Sequence, residues 1–160
     1  DIGGSTGLAA HDAEIFDPAL NVTIMTTIHD LGVWPLRGGH VLQRAENMPI
    51  RFRNRFDFIF SNLAFNYMRY PDLALTNAIK ALTRGGILSI IFSTEDSPLK
   101  YDFKEGELVH RINAQFKRLK KMEEAGIIKI RTFHKPTDNA YQRWLNGVRD
   151  PSGWLQLQRL

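Results

Sequence analysis

Asp1-Ile2-Gly3-Gly4-Ser5-Thr6-Gly7 puts one acid, three glycines and two hydroxyls into seven residues. Glycine reaches positive φ and has no Cβ, so the backbone can turn sharply and a ligand can approach it. A helix that begins directly after such a turn offers free N–H groups in its first turn. An acid just ahead of the turn can accept hydrogen bonds from a cationic ligand. These residue types in this order suit a nucleotide-like ligand, and they suit an ordinary strand-to-helix turn as well. The five histidines include no pair at helical ligand spacing, and cysteine is absent, which excludes disulfides and thiolate metal sites. No metal is expected.

The elements that must carry this turn are legible from periodicity and chain breakers. Residues 6–16 read as a short helix ended by Asp17-Pro18, and Asn21 to Ile28 as a strand rich in Val, Thr and Ile. Gly32, Pro35, Gly38 and Gly39 make 29–40 a loop. His40 to Arg44 reads as a short strand and 45–49 as a loop. Phe56 to Phe60 is apolar nearly throughout, as a strand covered on both faces is. After a loop at 61–70, Pro71 opens a helix that reaches Thr83, with Gly85 at its exit. Leu75, Ala78, Ile79 and Leu82 form its apolar stripe. Ile87 to Phe92 is a buried strand, Leu108 to Ala125 the longest helix, and Ile127 to Phe133 a strand. Tyr141 to Val148 reads as a helical turn and Trp154 to Leu160 as a last strand. Strands alternating with helices predict an α/β fold with a mostly parallel sheet, helices on both faces and ligands beyond the strands' carboxyl ends.

The chain has 160 residues, the size of one domain spanning 1–160. Hydrophobic residues make up 43% and charged residues 24%, and no apolar run reaches the ~20 residues of a membrane span. No membrane partner is expected, and the lack of cysteine fits a reducing compartment such as the cytoplasm. The net charge is +4. Its cations concentrate in Arg51, Arg53 and Arg55 and in Lys117, Arg118, Lys120 and Lys121, either as solvated faces or as a surface for an anionic partner, nucleic acid or protein.

Phe56 to Phe92, FDFIFSNLAFNYMRYPDLALTNAIKALTRGGILSIIF, resembles the fourth strand, following helix and fifth strand of class I S-adenosylmethionine-dependent methyltransferases. The branch it looks most like methylates small molecules and carrier-bound acids. The pattern is an acid in a strand, a small polar loop, a Pro-Asp helix start and a helix ending before Gly-Gly, here Thr83-Arg84-Gly85-Gly86. Asp1 to Gly7 is similar to the family's glycine loop, and the resemblance runs to about Phe133. A nicotinamide-binding Rossmann domain competes for the glycine loop alone. The resemblance implies S-adenosylmethionine as cofactor and a small-molecule or carrier-bound methyl acceptor. It implies that Asp1, Gly3, Gly4, Ser5 and Gly7 line the methionine end, with Thr26 at the ribose, Ala45 and Glu46 near adenine, and Ser61 and Asn62 on the sulfonium side.

Departures from the family pattern carry consequences. Thr26 stands where an acid normally takes the ribose hydroxyls, with Asp30 as a substitute four residues on. Arg44 stands where a second acid is expected, and Ser5 replaces a common glycine. Losing a charged hydrogen bond to a ligand costs ~1.5–3 kcal/mol, so a non-catalytic methyltransferase-like binding or assembly domain is the alternative reading. The family's central strand precedes the glycine loop, so the sheet is expected to lack its first strand, the sequence being an N-terminally truncated fragment of a longer protein unless another segment supplies that strand. No catalytic residue is assigned. His29 and His134 are candidate bases. Asn66, Tyr67 and Tyr101 are candidates for the acceptor pocket, and Asn62-Leu63-Ala64-Phe65 faintly echoes the Asn-Pro-Pro-aromatic loop of amino-group methyltransferases.

Overall fold

The structure is a computed structural model, which describes residues 1–3, 8–26, 35–62, 64–65, 68–93, 117–134 and 152–160. Its elements are α1 (Leu8–Phe16), β1 (Ile24–Thr26), β2 (His40–Leu42), β3 (Phe56–Asn62), α2 (Pro71–Ala81), β4 (Leu82–Ser93), β5 (Ile128–His134) and β6 (Ser152–Arg159). Residues 117–124 are also helical. The expected helical turn at 141–148, the first half of the 108–125 helix and Trp34 lie outside the described residues.

β1 and β2 pair in parallel, as do β3 and β4. Asp1–Gly3 joins the two pairs. Ile2 bridges Met25 in parallel, Met25 N–H donates to the Asp1 carbonyl at 2.9 Å, and Ile2 N–H donates to the Phe60 carbonyl at 2.8 Å. The short extended segment therefore occupies the position between β1 and β3 that was expected to lack a strand. Beyond β4 the sheet changes direction, because β6 pairs antiparallel with β4 and β5 antiparallel with β6. The sheet is mixed, mostly but not purely parallel. The two crossovers leave the centre in opposite directions, one through α1 to β1 and one through α2 to β4. Right-handed crossovers then put α1 and α2 on opposite faces.

α2 shows why its sequence folds as it does. Pro71 sits in the first turn, Asp72 supports the positive end of the helix and Lys80 the negative end. Ala74, Leu75, Ala78, Ile79 and Ala81 are buried, and they meet Leu88, Ile90, Leu119, Leu155 and Leu157 in one core. Burying each large side chain contributes ~1.5–3 kcal/mol. The 117–124 helix shares α2's face, since Arg118 donates to the Asp72 carbonyl at 3.3 Å and to Thr76 Oγ1 at 2.7 Å.

Two expectations need correction. The helix stops at Ala81, not Thr83, and Gly85 lies inside β4. Phe56 pairs with Leu82 and Phe58 with Ile87, so β4 spends extra residues in a bulge that Gly85 turns at φ 81°. β3 is also not covered on both faces. Phe58 is 57% exposed and stacks on Phe60 with ring centroids 6.5 Å apart.

Candidate functional site at the carboxyl edge

The parallel strands bring Thr26, Gly3 and Asn62 to one edge of the sheet. Gly4, Ser5 and Gly7 of the glycine loop lie outside the described residues, as do His29, Asp30, Asn66, Tyr67 and Tyr101. His134 ends β5, and its side chain is not described.

Gly3 has φ 79°, a conformation that strains any residue with a Cβ. A Cβ built there would stand 2.2 Å from the Cβ of Ala64. The room that glycine leaves is thus taken by the loop after β3. The close approach at Gly3 is made by the side-chain methyl of Ala64.

Ser61 has no exposed surface, and its Oγ donates to the Ile2 carbonyl at 3.0 Å. It splices β3 to the Asp1–Gly3 segment beneath the edge. Asn62, the next residue, is exposed at the end of β3. Thr26 is buried at the end of β1, and its carbonyl accepts from Gln43 N–H at 3.0 Å.

Ala45–Asn47 forms a 3-10 turn after β2, with Ala45 and Glu46 both buried. Glu46 Oε1 accepts from the backbone N–H groups of Arg69 at 3.2 Å and Tyr70 at 3.4 Å. Tyr70 is the N-cap of α2 and supplies no side-chain cap. A carboxylate brought from another element therefore serves donors at a helix start, where negative charge is favoured. Asn77, from the middle of α2, donates to the carbonyls of Ala45 at 3.1 Å and Glu46 at 2.8 Å. Phe65 and Met68 of the β3–α2 loop pack against the core. Arg44, where an acid was expected, is exposed.

Sequence reasoning missed Asn77, and it placed Ala64 in the loop after β3 without the signal of its contact with Gly3. Asn77 carries a signal, being an amide flanked by the apolar residues Leu75, Ala78 and Ile79. Ala64 carries none, because its importance lies in a contact with Gly3.

An open concavity of about 370 Å³ lies elsewhere, between α1 and the chain entering β2, lined by His11, Glu14, Ile15, Pro35, Leu36 and Arg37. Burial works against the charged form of Glu14. Hydrogen bonds from Val22 N–H at 2.6 Å and Arg37 N–H at 3.0 Å outweigh it, and Arg37's charge adds to them. Together they hold the carboxyl below its ordinary value of 4.5.

The arrangement can be compared with known proteins. The family model described as a methyltransferase domain matches residues 2–90, just over half of the chain. Among solved structures, the aminoglycoside resistance methyltransferase NpmB1 is similar at 16% identity and TM-score 0.67, over 100% of this chain and 85% of that one. The plantazolicin methyltransferase BpumL, in complex with SAH, is similar at 12% identity and TM-score 0.63, over 99% and 74%. The [4+2]-cyclase SpnF is similar at 17% identity and TM-score 0.61, over 99% and 74%. At such identities the likeness is one of fold. The search of curated proteins finds no match. The family match covers the glycine turn, β1 to β3, α2 and most of β4, and on it the chain belongs to the class I S-adenosylmethionine-dependent methyltransferase family.

Proposed function

We propose that the carboxyl edge transfers a methyl group from S-adenosylmethionine to a small-molecule or carrier-bound acceptor. The observation that carries this reading is the convergence of Gly3, Thr26 and Asn62 at adjacent strand ends, with Gly3 at positive φ. Thr26 and Asn62 offer neutral polar groups there and Asp1 a carboxylate, a set that fits the mixed charge of an amino acid joined to a nucleoside. The cofactor supplies an activated methyl on a sulfonium. The protein's share is to align and desolvate the acceptor, and no fixed base is required.

Within this reading Asp1 and Gly3 hold the methionine end, Thr26 faces the ribose side, and Asn62 stands beside the acceptor. Gly4, Ser5 and Gly7 complete the loop. Ala45 lies on the adenine side. Glu46, through Oε1, and Ser61, through Oγ, also brace the edge on Arg69, Tyr70 and Ile2. The fold alone does not settle the chemistry, since one neighbour of this fold is a [4+2]-cyclase.

A thermal shift with S-adenosylhomocysteine, S-adenosylmethionine and NADH tests the reading. Ligand at ~100 times its dissociation constant stabilises by about 2.7 kcal/mol, a rise of roughly 5–10 °C for a domain of this size. A shift with the first two and none with NADH supports it. A folded protein that shifts with neither moves the assignment to a non-catalytic binding or assembly domain. Buried Thr26 and exposed Arg44, at positions where acids were expected, favour that second reading.

A further inference from the structure

We propose that the amino edge of the sheet, opposite the methyl-transfer crevice, is a docking surface for the phosphodiester backbone of nucleic acid. Arg51, Arg53 and Arg55 lead into β3, Lys80 ends α2, Arg84 sits in the β4 bulge, and Arg159 ends β6. The fold draws these separate stretches together. Asn54 N–H donates to the Lys80 carbonyl at 3.0 Å and Arg55 N–H to the Ala81 carbonyl at 2.8 Å. Arg159 Nη1 donates to Asn54 Oδ1 at 2.6 Å and to the Lys80 carbonyl at 3.1 Å. Arg51, Arg53, Arg55, Lys80 and Arg84 are all exposed. Among the described residues none of the six cations makes an ion pair. The nearby acids are few: Asp57, whose Oδ1 accepts from Thr83 Oγ1 at 2.8 Å, and Glu123 and Glu124, which end the helix leading into β5, where Ile128 pairs with Arg159.

The residue types select the partner. Five of the six cations are arginine, whose planar fork and weak hydration suit phosphate oxygens. The aromatics interleaved with them do not form a stacking platform. Phe52 is buried and Phe56 half-buried, and the two rings meet edge to face at 5.3 Å. Exposed Ile50 stands singly on the 50–55 stretch, and the exposed pair Ile127 and Leu160 lies at the β5–β6 end of the edge, so the arginines surround no apolar centre of the kind a protein interface uses. Contacts to phosphate without stacking or base readout fix position and carry no sequence information. Binding is therefore steep in salt and indifferent to sequence. The seven residues of β3 separate this edge from the crevice, roughly 20 Å at strand spacing. The surface anchors the protein on a polyanion and does not present a base for methylation.

Fluorescence polarisation with a labelled single-stranded oligonucleotide tests this. With ~5 phosphate contacts, affinity weakens about 100-fold between about 50 and 200 mM salt. Arg53→Glu/Arg55→Glu/Arg84→Glu loses at least about tenfold at the lower salt and flattens the salt slope by ~2. Lys117→Glu/Lys121→Glu, on the other basic region, stays close to the parent. Thermal midpoints of both variants establish that they fold. Absent binding at the lower salt overturns the proposal, and so does an equal loss in the helix variant. Preference for one base composition also overturns it. Better competition by polyglutamate than by unlabelled oligonucleotide overturns it in favour of an acidic protein partner.

Discussion

The two edges of one sheet spend their polar side chains in opposite ways. At the carboxyl edge the groups are turned inward onto backbone: Ser61 to Ile2, Glu46 to Arg69 and Tyr70, Asn77 to Ala45 and Glu46. At the amino edge Arg159 is tied down, while Arg51, Arg53, Arg55, Lys80 and Arg84 face solvent. A buried polar group without its partner costs its full desolvation, about 1–3 kcal/mol, whereas an exposed cation costs little to keep or remove. The first edge is therefore built to hold a shape and the second to hold a charge. Stability should be sensitive at the first and tolerant at the second, with electrostatic binding the reverse.

The largest effect is expected at Gly3. Gly3→Val places a Cβ in left-handed backbone, which costs ~1–2 kcal/mol. It also drives that atom into Ala64, and overpacking costs a further ~1–3 kcal/mol. A total of about 2–4 kcal/mol should appear in the urea midpoint, together with loss of any S-adenosylhomocysteine shift. A variant as stable as the parent would mean that the close approach of Ala64 to Gly3 does not shape this edge.

Glu46→Ala comes next. It removes the acceptor for two N–H groups ahead of α2 and should cost about 1–3 kcal/mol. If Glu46 is a brace, Glu46→Gln, which keeps an acceptor oxygen, recovers much of that loss and retains cofactor binding. Recovery of stability without recovery of binding would assign the charge itself to the ligand. Ser61→Ala is milder, about 1 kcal/mol in chemical denaturation, for one buried hydrogen bond.

Glu14 sharpens the comparison, because it is the amino side's own inward-facing acid. Its pKa is held below the ordinary 4.5 by the N–H groups of Val22 and Arg37. A folded-state pKa that is depressed contributes stability in full above the unfolded value, and that contribution is lost as pH falls through the folded one. Thermal midpoints should therefore fall with acidification below about pH 4.5, and Glu14→Gln should flatten that limb. Parallel acid limbs in both proteins would show that other carboxylates dominate.

What was legible in the sequence follows the same division. The block from β3 through α2 to β4 was legible because its signals are local: an apolar run, Pro71, the stripe of Leu75, Ala78, Ile79 and Leu82, and the paired glycines. The end of α2 was misplaced by two residues because Thr83 to Gly86 could close a helix or bulge a strand. Pairing of Phe58 with Ile87 decided for the bulge. That β6 enters between β4 and β5, antiparallel to both, depends on pairing across some sixty residues, from Ile91 to Trp154, which no local pattern carries. The bracing bonds of Glu46 and Ser61 were illegible, since their partners are backbone atoms of distant residues. The arginines were visible as a run, but their meeting with Lys80, Arg84 and Arg159 was not.

The smallest effect is expected where the charge is densest. Arg53→Glu and Arg55→Glu touch exposed side chains, and the backbone bond from Arg55 N–H to Ala81 is untouched by the change. Stability should stay within about 0.5 kcal/mol of the parent. Lys80→Glu should cost slightly more, about 0.3–1 kcal/mol, because it reverses a charge that complements the last turn of α2. The ranking is the test. If Arg53→Glu or Arg55→Glu destabilised as much as Glu46→Ala, the guanidinium groups would be structural, and the amino edge would resemble the carboxyl one. If oligonucleotide binding fell while the melting curves overlaid, the cations would be retained for what they contact outside the protein.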